Sequence, residues 1–162
     1  MIYTDGSVYE GEFRDGKFHG QGKHTYPDGG QYEGDFIEGK KEGSGKYRYD
    51  DGSTYDGQYK DDMKHGHGIY TWANGRKYDG EWFNAKQHGE GVYTWPDGSK
   101  YEGDYFDEKM QGRGIYTYSD GSKYDGEWFN GEEHGEGVYT NSNGKEERII
   151  CIEGKKIKLT DN

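Results

Sequence analysis

The chain has 162 residues, 28% of them hydrophobic and 33% charged, and a formal net charge of −11. That acidic balance argues against nucleic acid, whose binding needs Lys and Arg to displace counterions, and against simple electrostatic attraction to anionic lipid. So small a hydrophobic share, against roughly 45–50% in a typical globular domain, points by itself to disorder. The 17 Tyr, 4 Trp and 30 Gly are placed with a strict period, however, so the apolar content can order the chain.

Cys151 is the one cysteine, which rules out an internal disulfide and favours a reducing compartment. No run of about 18 apolar residues exists to span a membrane, and no signal-peptide pattern precedes Tyr9. The expected location is cytoplasmic.

In chain order, residues 1–8 read as a partial leading repeat. Tyr3, Asp5 and Gly6 match Tyr26, Asp28 and Gly29 one period later, so the chain begins on a lone strand. Six repeats of 23 residues follow over 9–146, at 9–31, 32–54, 55–77, 78–100, 101–123 and 124–146. Each opens on a tyrosine (Tyr9, Tyr32, Tyr55, Tyr78, Tyr101, Tyr124), places glycine two residues on and places an aromatic two further. Self-similarity at such a spacing marks an array in which each unit buries surface against its neighbours.

Within a repeat, Tyr124–Phe129 alternates aromatic or Gly with acidic residues, and Gly137–Thr140 alternates likewise, which is strand periodicity. Asn130, Gly131 and His134-Gly135 between them read as a connector. Between repeats, Trp95-Pro96-Asp97-Gly98-Ser99 is turn chemistry. Each repeat is therefore a β-hairpin. The predicted fold is all-β: a single-layer, twisted or curved antiparallel β-meander of tandem hairpins, each repeat adding about 10 Å.

Alternation sets Tyr101, Gly103 and Tyr105 on one face with Gly114, Tyr116 and Tyr118, and Glu102 and Asp104 on the other. One face is an aromatic and glycine pavement, expected to form the inside of a trough; the other is acidic. Residues 147–162 break the pattern: Arg148-Ile149-Ile150-Cys151-Ile152 is aliphatic, Gly154 keeps a turn, and Ile157 and Leu159 supply a returning strand. This segment is predicted to be a capping hairpin and tail, with Cys151 a small buried apolar residue.

Repeats of the form YxGxWxxGxxHGxGxxxxxDG, seen here as Tyr78-Asp79-Gly80-Glu81-Trp82, His88-Gly89-Glu90-Gly91 and Asp97-Gly98, strongly resemble the MORN repeat family. Asp62, Ala85 and Glu108 depart from the pattern at the mid-loop glycine, and Asn141 at the late aromatic. The resemblance implies a scaffold with a binding role in a cytoskeletal, ciliary or membrane-junction assembly, described for this family as protein-docking or phospholipid-binding.

The expected function is a non-catalytic scaffold that docks a protein partner, an amphipathic helix or peptide with basic flanks, in the aromatic trough. Its predicted contacts are Tyr55, Tyr59, Trp72, Tyr78, Glu81, Trp82, Trp95, Tyr101, Asp104, Tyr105, Tyr118, Tyr124 and Trp128, with Glu81 and Asp104 pairing the partner's basic flanks. The alternative is phosphoinositide attachment through Lys77, Lys100, Lys123 and the terminal lysines Lys155, Lys156 and Lys158. No catalytic residue, metal or cofactor is expected. The acids recur in nearly every repeat, as no catalytic pair needs to. His19, His65, His88 and His134 share one position of the repeat, where equivalent atoms one repeat apart lie about 10 Å from each other, too far to share an ion, and they read instead as loop-shaping hydrogen-bonders. Open edges at Met1–Thr4 and at the cap point to self-association as a homodimer.

Overall fold

The computed structural model describes residues 1–152 and 155–158, which leaves Gly154 and Leu159 of the expected cap outside the described residues. The chain forms two compact units, Met1–Lys86 and Gln87–Asn162. The first contains β1 (Val8–Arg14), β2 (Lys17–Thr25), β3 (Gln31–Ile37), β4 (Lys40–Arg48), β5 (Thr54–Lys60), β6 (Met63–Thr71) and β7 (Lys77–Phe83). The second contains β8 (Lys86–Thr94), β9 (Lys100–Phe106), β10 (Lys109–Thr117), β11 (Lys123–Phe129), β12 (Glu132–Thr140), β13 (Glu146–Ile152) and β14 (Lys155–Lys158). In each unit the strands are hydrogen-bonded in chain order, each pair is antiparallel, and no helix occurs among the described residues. The fold is an all-β open meander of hairpins.

Two turns alternate. Within a repeat the hairpin closes in two residues that both have positive φ, as at Asn84 (48°) and Ala85 (67°) or Asp107 (51°) and Glu108 (69°). That is the type I′ geometry whose twist suits paired strands. Between repeats, the Gly98 amide donates to the Trp95 carbonyl at 3.0 Å, and Asp97 Oδ1 accepts from the Ser99 amide at 2.9 Å and its hydroxyl at 2.6 Å.

The connector read between Phe129 and Gly137 is shorter than expected: only Asn130 and Gly131 turn, and His134 and Gly135 lie inside β12. A register shift at Gly126/Glu127 and a left-handed Gly135 (φ 61°) form a bulge, and a bulge interrupts the two-residue alternation that marks a strand in sequence. At the start of the chain, Ile2 bridges Val8 and the Tyr9 amide donates to the Met1 carbonyl at 2.9 Å, so part of the edge read as a lone strand is already paired.

The core is a bed of rings lying flat on the sheet. Tyr9, Tyr32, Tyr55, Tyr78, Tyr101 and Tyr124 are fully buried. The register places Gly103 opposite Gly114, and a Cβ on Gly114 would collide with the Tyr101 ring, so the glycine pair makes room for the phenol. Each phenol then donates to the carbonyl three residues on, for example Tyr55 to Gln58 at 2.9 Å and Tyr101 to Asp104 at 3.1 Å. That carbonyl lies where the register of the hairpin shifts, and a buried carbonyl left without a donor costs about 1–3 kcal/mol.

The second aromatic of the repeat, four residues after the opening tyrosine, covers the bed. Tyr55 meets Tyr59 at 5.2 Å and Trp82 of the following repeat at 5.4 Å, both edge-on; Tyr101 meets Tyr105 at 5.3 Å and Trp128 at 5.0 Å. Such edge-to-face pairs add about 0.5–1.5 kcal/mol beyond burial. Trp82 Nε1 donates to the Gly68 carbonyl at 2.9 Å and Trp128 Nε1 to that of Gly114 at 3.0 Å. A sheet without a second layer thus buries its core by laying each ring over glycine and clasping it between two repeats. In β13 the rings give way to Ile149 and Cys151, 3% and 1% exposed.

Candidate docking surfaces on the ring face

A second set of rings stands on the bed and stays half-buried. In the first unit they run from His24 to Tyr26 (centroids 4.2 Å apart), Tyr47 (5.6 Å), Tyr49 (4.4 Å), Tyr70 (5.6 Å) and Trp72 (4.6 Å). In the second they run from Tyr93 to Trp95 (4.4 Å), Tyr116 (5.4 Å), Tyr118 (4.7 Å) and Tyr139 (6.5 Å). These rings come from the second strand of each hairpin and the first turn residue after it. Each row is a zigzag of aromatic edges and faces open to solvent.

One position beside these rows changes in every repeat but one: Phe18, Lys41, Lys64, Gln87, Met110, Glu133. Phe18 stacks on Tyr9 at 3.8 Å. Lys41 Nζ lies 5.0 Å from the centroid of Tyr47 and between 5.5 and 5.8 Å from those of Tyr59, Tyr32 and Tyr26. Lys64 lies 4.4 Å from Trp82 and 4.5 Å from Tyr70. Burial holds the Lys41 pKa below the ordinary lysine value, with Asp62 pulling the other way.

Glu133 reverses the sign. It accepts from the Tyr118 hydroxyl and from Lys156 Nζ at 3.3 Å, and Cys151 Sγ lies 3.7 Å away. Cys151 is therefore buried beside a carboxylate, and burial followed by that charge raises its pKa. A hollow of about 450 Å³ opens here, lined by Met110, Tyr116, Tyr118, Trp128, Glu132, Glu133 and Lys156 among others.

The residues expected to contact a partner divide into three groups. Tyr55, Tyr59, Tyr78, Trp82, Tyr101, Tyr105, Tyr124 and Trp128 are buried in the bed, at most 6% exposed, because the chain's own repeats clasp them. They support the surface without offering contact area of their own. Trp72, Trp95 and Tyr118 belong to the half-buried rows. Glu81 and Asp104 fall on the opposite face, since strand alternation turns them away from Trp82 and Tyr105. Asp104 Oδ2 there accepts the Arg113 amide at 3.1 Å, at the bulge. They cannot rim a partner held on the rings. Sequence reading passed over Tyr26, Tyr47, Tyr49, Tyr70, Tyr93 and Tyr139, and the signal that could have found them was ring spacing on the second strand.

On the polar face, three of the four aligned histidines meet exposed phenylalanines: His65 meets Phe83 at 5.4 Å, His88 meets Phe106 at 5.3 Å and His134 meets Phe129 at 5.6 Å. His65 Nδ1 is buried without a hydrogen-bond partner. Among the described residues no group of three or more His, Cys, Asp or Glu is placed to hold a metal ion. Lys77 pairs with Asp79 at 3.3 Å and Lys100 with Glu102 at 2.7 Å, so two members of the supposed lipid-binding stripe are already neutralised. The first unit also hollows on this face, in a groove of about 750 Å³ lined by Lys23, Glu33, Asp35, Lys46, Arg48 and Asp56 among others. No helix among the described residues is long and apolar enough to cross a membrane.

Fold and surface together define an open β-meander whose period is a ring-over-glycine hairpin. The profile of the MORN repeat matches residues 9–31, 32–54, 55–75, 78–100, 101–123 and 124–146, and the chain belongs to the MORN repeat family. No curated protein matches it by sequence.

Solved structures of similar fold include the SAS-4 (dCPAP) TCP domain of Drosophila melanogaster in complex with a proline-rich motif of Ana2 (dSTIL). It is 18% identical, the match covers 91% of this chain and 79% of that one, and the TM-score is 0.58. The wild-type TCP10 domain of Danio rerio CPAP is 18% identical over 94% of this chain and 72% of that one, with a TM-score of 0.55. The same domain in complex with a peptide of Danio rerio STIL is 14% identical over 91% and 70%, with a TM-score of 0.50. At these identities the likeness is one of fold.

Proposed function

We propose that the protein is a non-catalytic scaffold whose half-buried ring rows dock a peptide segment of a protein partner, either extended or an amphipathic helix. The observation that carries this is the rows themselves: solvent-facing aromatics held on a bed whose rings are clasped by the chain's own repeats, so that their outer faces are left to another chain. Tyr and Trp are the residues that dominate binding hot spots, and aromatic-lined grooves take proline-rich segments in their preformed extended helix. Sheets of similar fold hold a proline-rich motif of Ana2 in one structure and a STIL peptide in another, which supports the peptide mode. Basic flanks on such a peptide suit the second unit, where Glu132 and Glu133 line the hollow. A cytoplasmic setting in a cytoskeletal, ciliary or membrane-junction assembly is the part of the proposal that family membership motivates.

The test is an array of proline-rich and amphipathic peptides, read by tryptophan fluorescence and calorimetry. Replacing Tyr70 and Trp72 with Ala, or Trp95 and Tyr116, is expected to weaken binding at that unit by about 2 kcal/mol or more, with little change in melting temperature. If Lys46→Glu and Arg48→Glu on the polar face abolish binding while the ring variants bind normally, the ring rows are not the site.

A further inference from the structure

The first unit places an ammonium where no fold requires one. Lys41 is half-buried among Tyr26, Tyr32, Tyr47 and Tyr59, and its Nζ donates no hydrogen bond to any described residue. Asp62, the acid coupled to it, instead accepts the Lys41 backbone amide at 2.8 Å through its carboxylate. Beside it, the Tyr59 hydroxyl is buried with no hydrogen-bond partner, and the Tyr26 and Tyr49 hydroxyls also donate to nothing among the described residues. Ring faces attract a cation but leave its three N–H donors unanswered.

A half-buried ammonium that no described acceptor hydrogen-bonds costs the fold stability, and the fifth repeat shows that a neutral residue fits the same place, since Met110 occupies it. The polar centre is complete only when an acceptor arrives from outside, and it lies within the ring row already described.

We propose that this centre selects the partner: the first unit docks a peptide carrying an acidic side chain, whose carboxylate accepts hydrogen bonds from the Lys41 ammonium while the flanking chain lies on Tyr26, Tyr47 and Tyr49. The inference rests on the docking reading above and adds the sign of the charge that the first unit recognises. It runs opposite to the basic character expected of the partner from the net charge of the chain.

The experiment uses the same peptide array, with each peptide made once with a central Glu and once with Gln, against the full chain, Lys41→Met and Tyr49→Ala. The Glu peptides are expected to bind the unmodified chain about tenfold more tightly than the Gln peptides. Lys41→Met is expected to abolish that preference and, by removing a desolvated cation, to raise the melting temperature. Should Lys41→Met fail to fold, Lys41→Gln serves, since Gln87 holds the equivalent position. Equal binding of Glu and Gln peptides, with both weakened by Tyr49→Ala, overturns the acidic selection and leaves the docking surface standing. Absence of binding by any peptide to the unmodified chain overturns both.

Discussion

Each of the two units builds the same kind of bed, and they differ in what stands on it. In each, an opening tyrosine lies over a glycine pair, donates to the carbonyl three residues on, and is clasped by rings of its own and the next repeat. At the position beside the ring row, by contrast, the first unit has Lys41 and Lys64 and the second has Met110 and Glu133. The bed repeats because its geometry tolerates nothing else: no Cβ fits beneath the phenol, and no other side chain reaches that carbonyl from the same place. The position beside the ring row varies in size and charge, and each side chain there packs differently on the rings: Phe18 stacks on Tyr9, Lys41 stands among four rings and Glu133 binds Tyr118 and Lys156. Sameness here reports folding, and difference is where the proposed recognition is written.

Alkali should break the comparison most visibly. Burial pushes the phenols of Tyr26, Tyr32, Tyr49, Tyr55 and Tyr59 in the first unit, and Tyr101, Tyr118 and Tyr124 in the second, above their usual value near 10. A folded value above the unfolded one means the stabilisation is complete below about pH 10 and is lost as pH rises beyond it. Circular dichroism should show the sheet unfolding above about pH 10 together with phenolate absorbance. Hydrogen exchange should show protection lost first in Met1–Lys86, where the raised phenols are concentrated. Simultaneous loss in both units would mean that the phenols of the second unit count for as much.

Next in size, Gly68→Ala and Gly114→Ala place a methyl inside the rings of Tyr55 and Tyr101 and are each expected to cost about 3 kcal/mol or more by thermal melt. Equal losses confirm a common bed; a harmless substitution in one unit would separate them. The smallest effect belongs to the hairpin turns, where Ala85 and Glu108 hold φ of 67° and 69° that an L-residue adopts at a cost. Ala85→Gly and Glu108→Gly are each expected to add about 0.5–1 kcal/mol in denaturant titrations, one in each unit, since glycine enters that region freely.

Much of this was legible in the sequence because a 23-residue period forces every repeat to repeat its contacts. That Tyr101, Gly103, Gly114 and Tyr116 share a face followed from alternation, and the turn at Trp95–Ser99 followed from its Pro-Asp-Gly chemistry. The length of β12 did not, because the left-handed Gly135 interrupts alternation inside a continuous strand. Alternation also names the face a ring points to, yet says nothing of whether the ring stands up or lies down. Tyr101 was therefore readable as a ring-face residue and unreadable as a fully buried one. Lys41 escaped notice for the opposite reason: a residue that changes from repeat to repeat carries no period.

The clasp between successive repeats has a consequence for how such a chain can lengthen. Because the opening tyrosines meet rings of their own repeat and of the next one, replication slippage by a whole period hands a phenol a familiar neighbour. Slippage by any other amount sets a Cβ under a ring somewhere. Genes of this kind can therefore grow or shrink in quanta, and each added quantum brings a fresh position, like that of Lys41, on which selection can write without disturbing the sheet beneath.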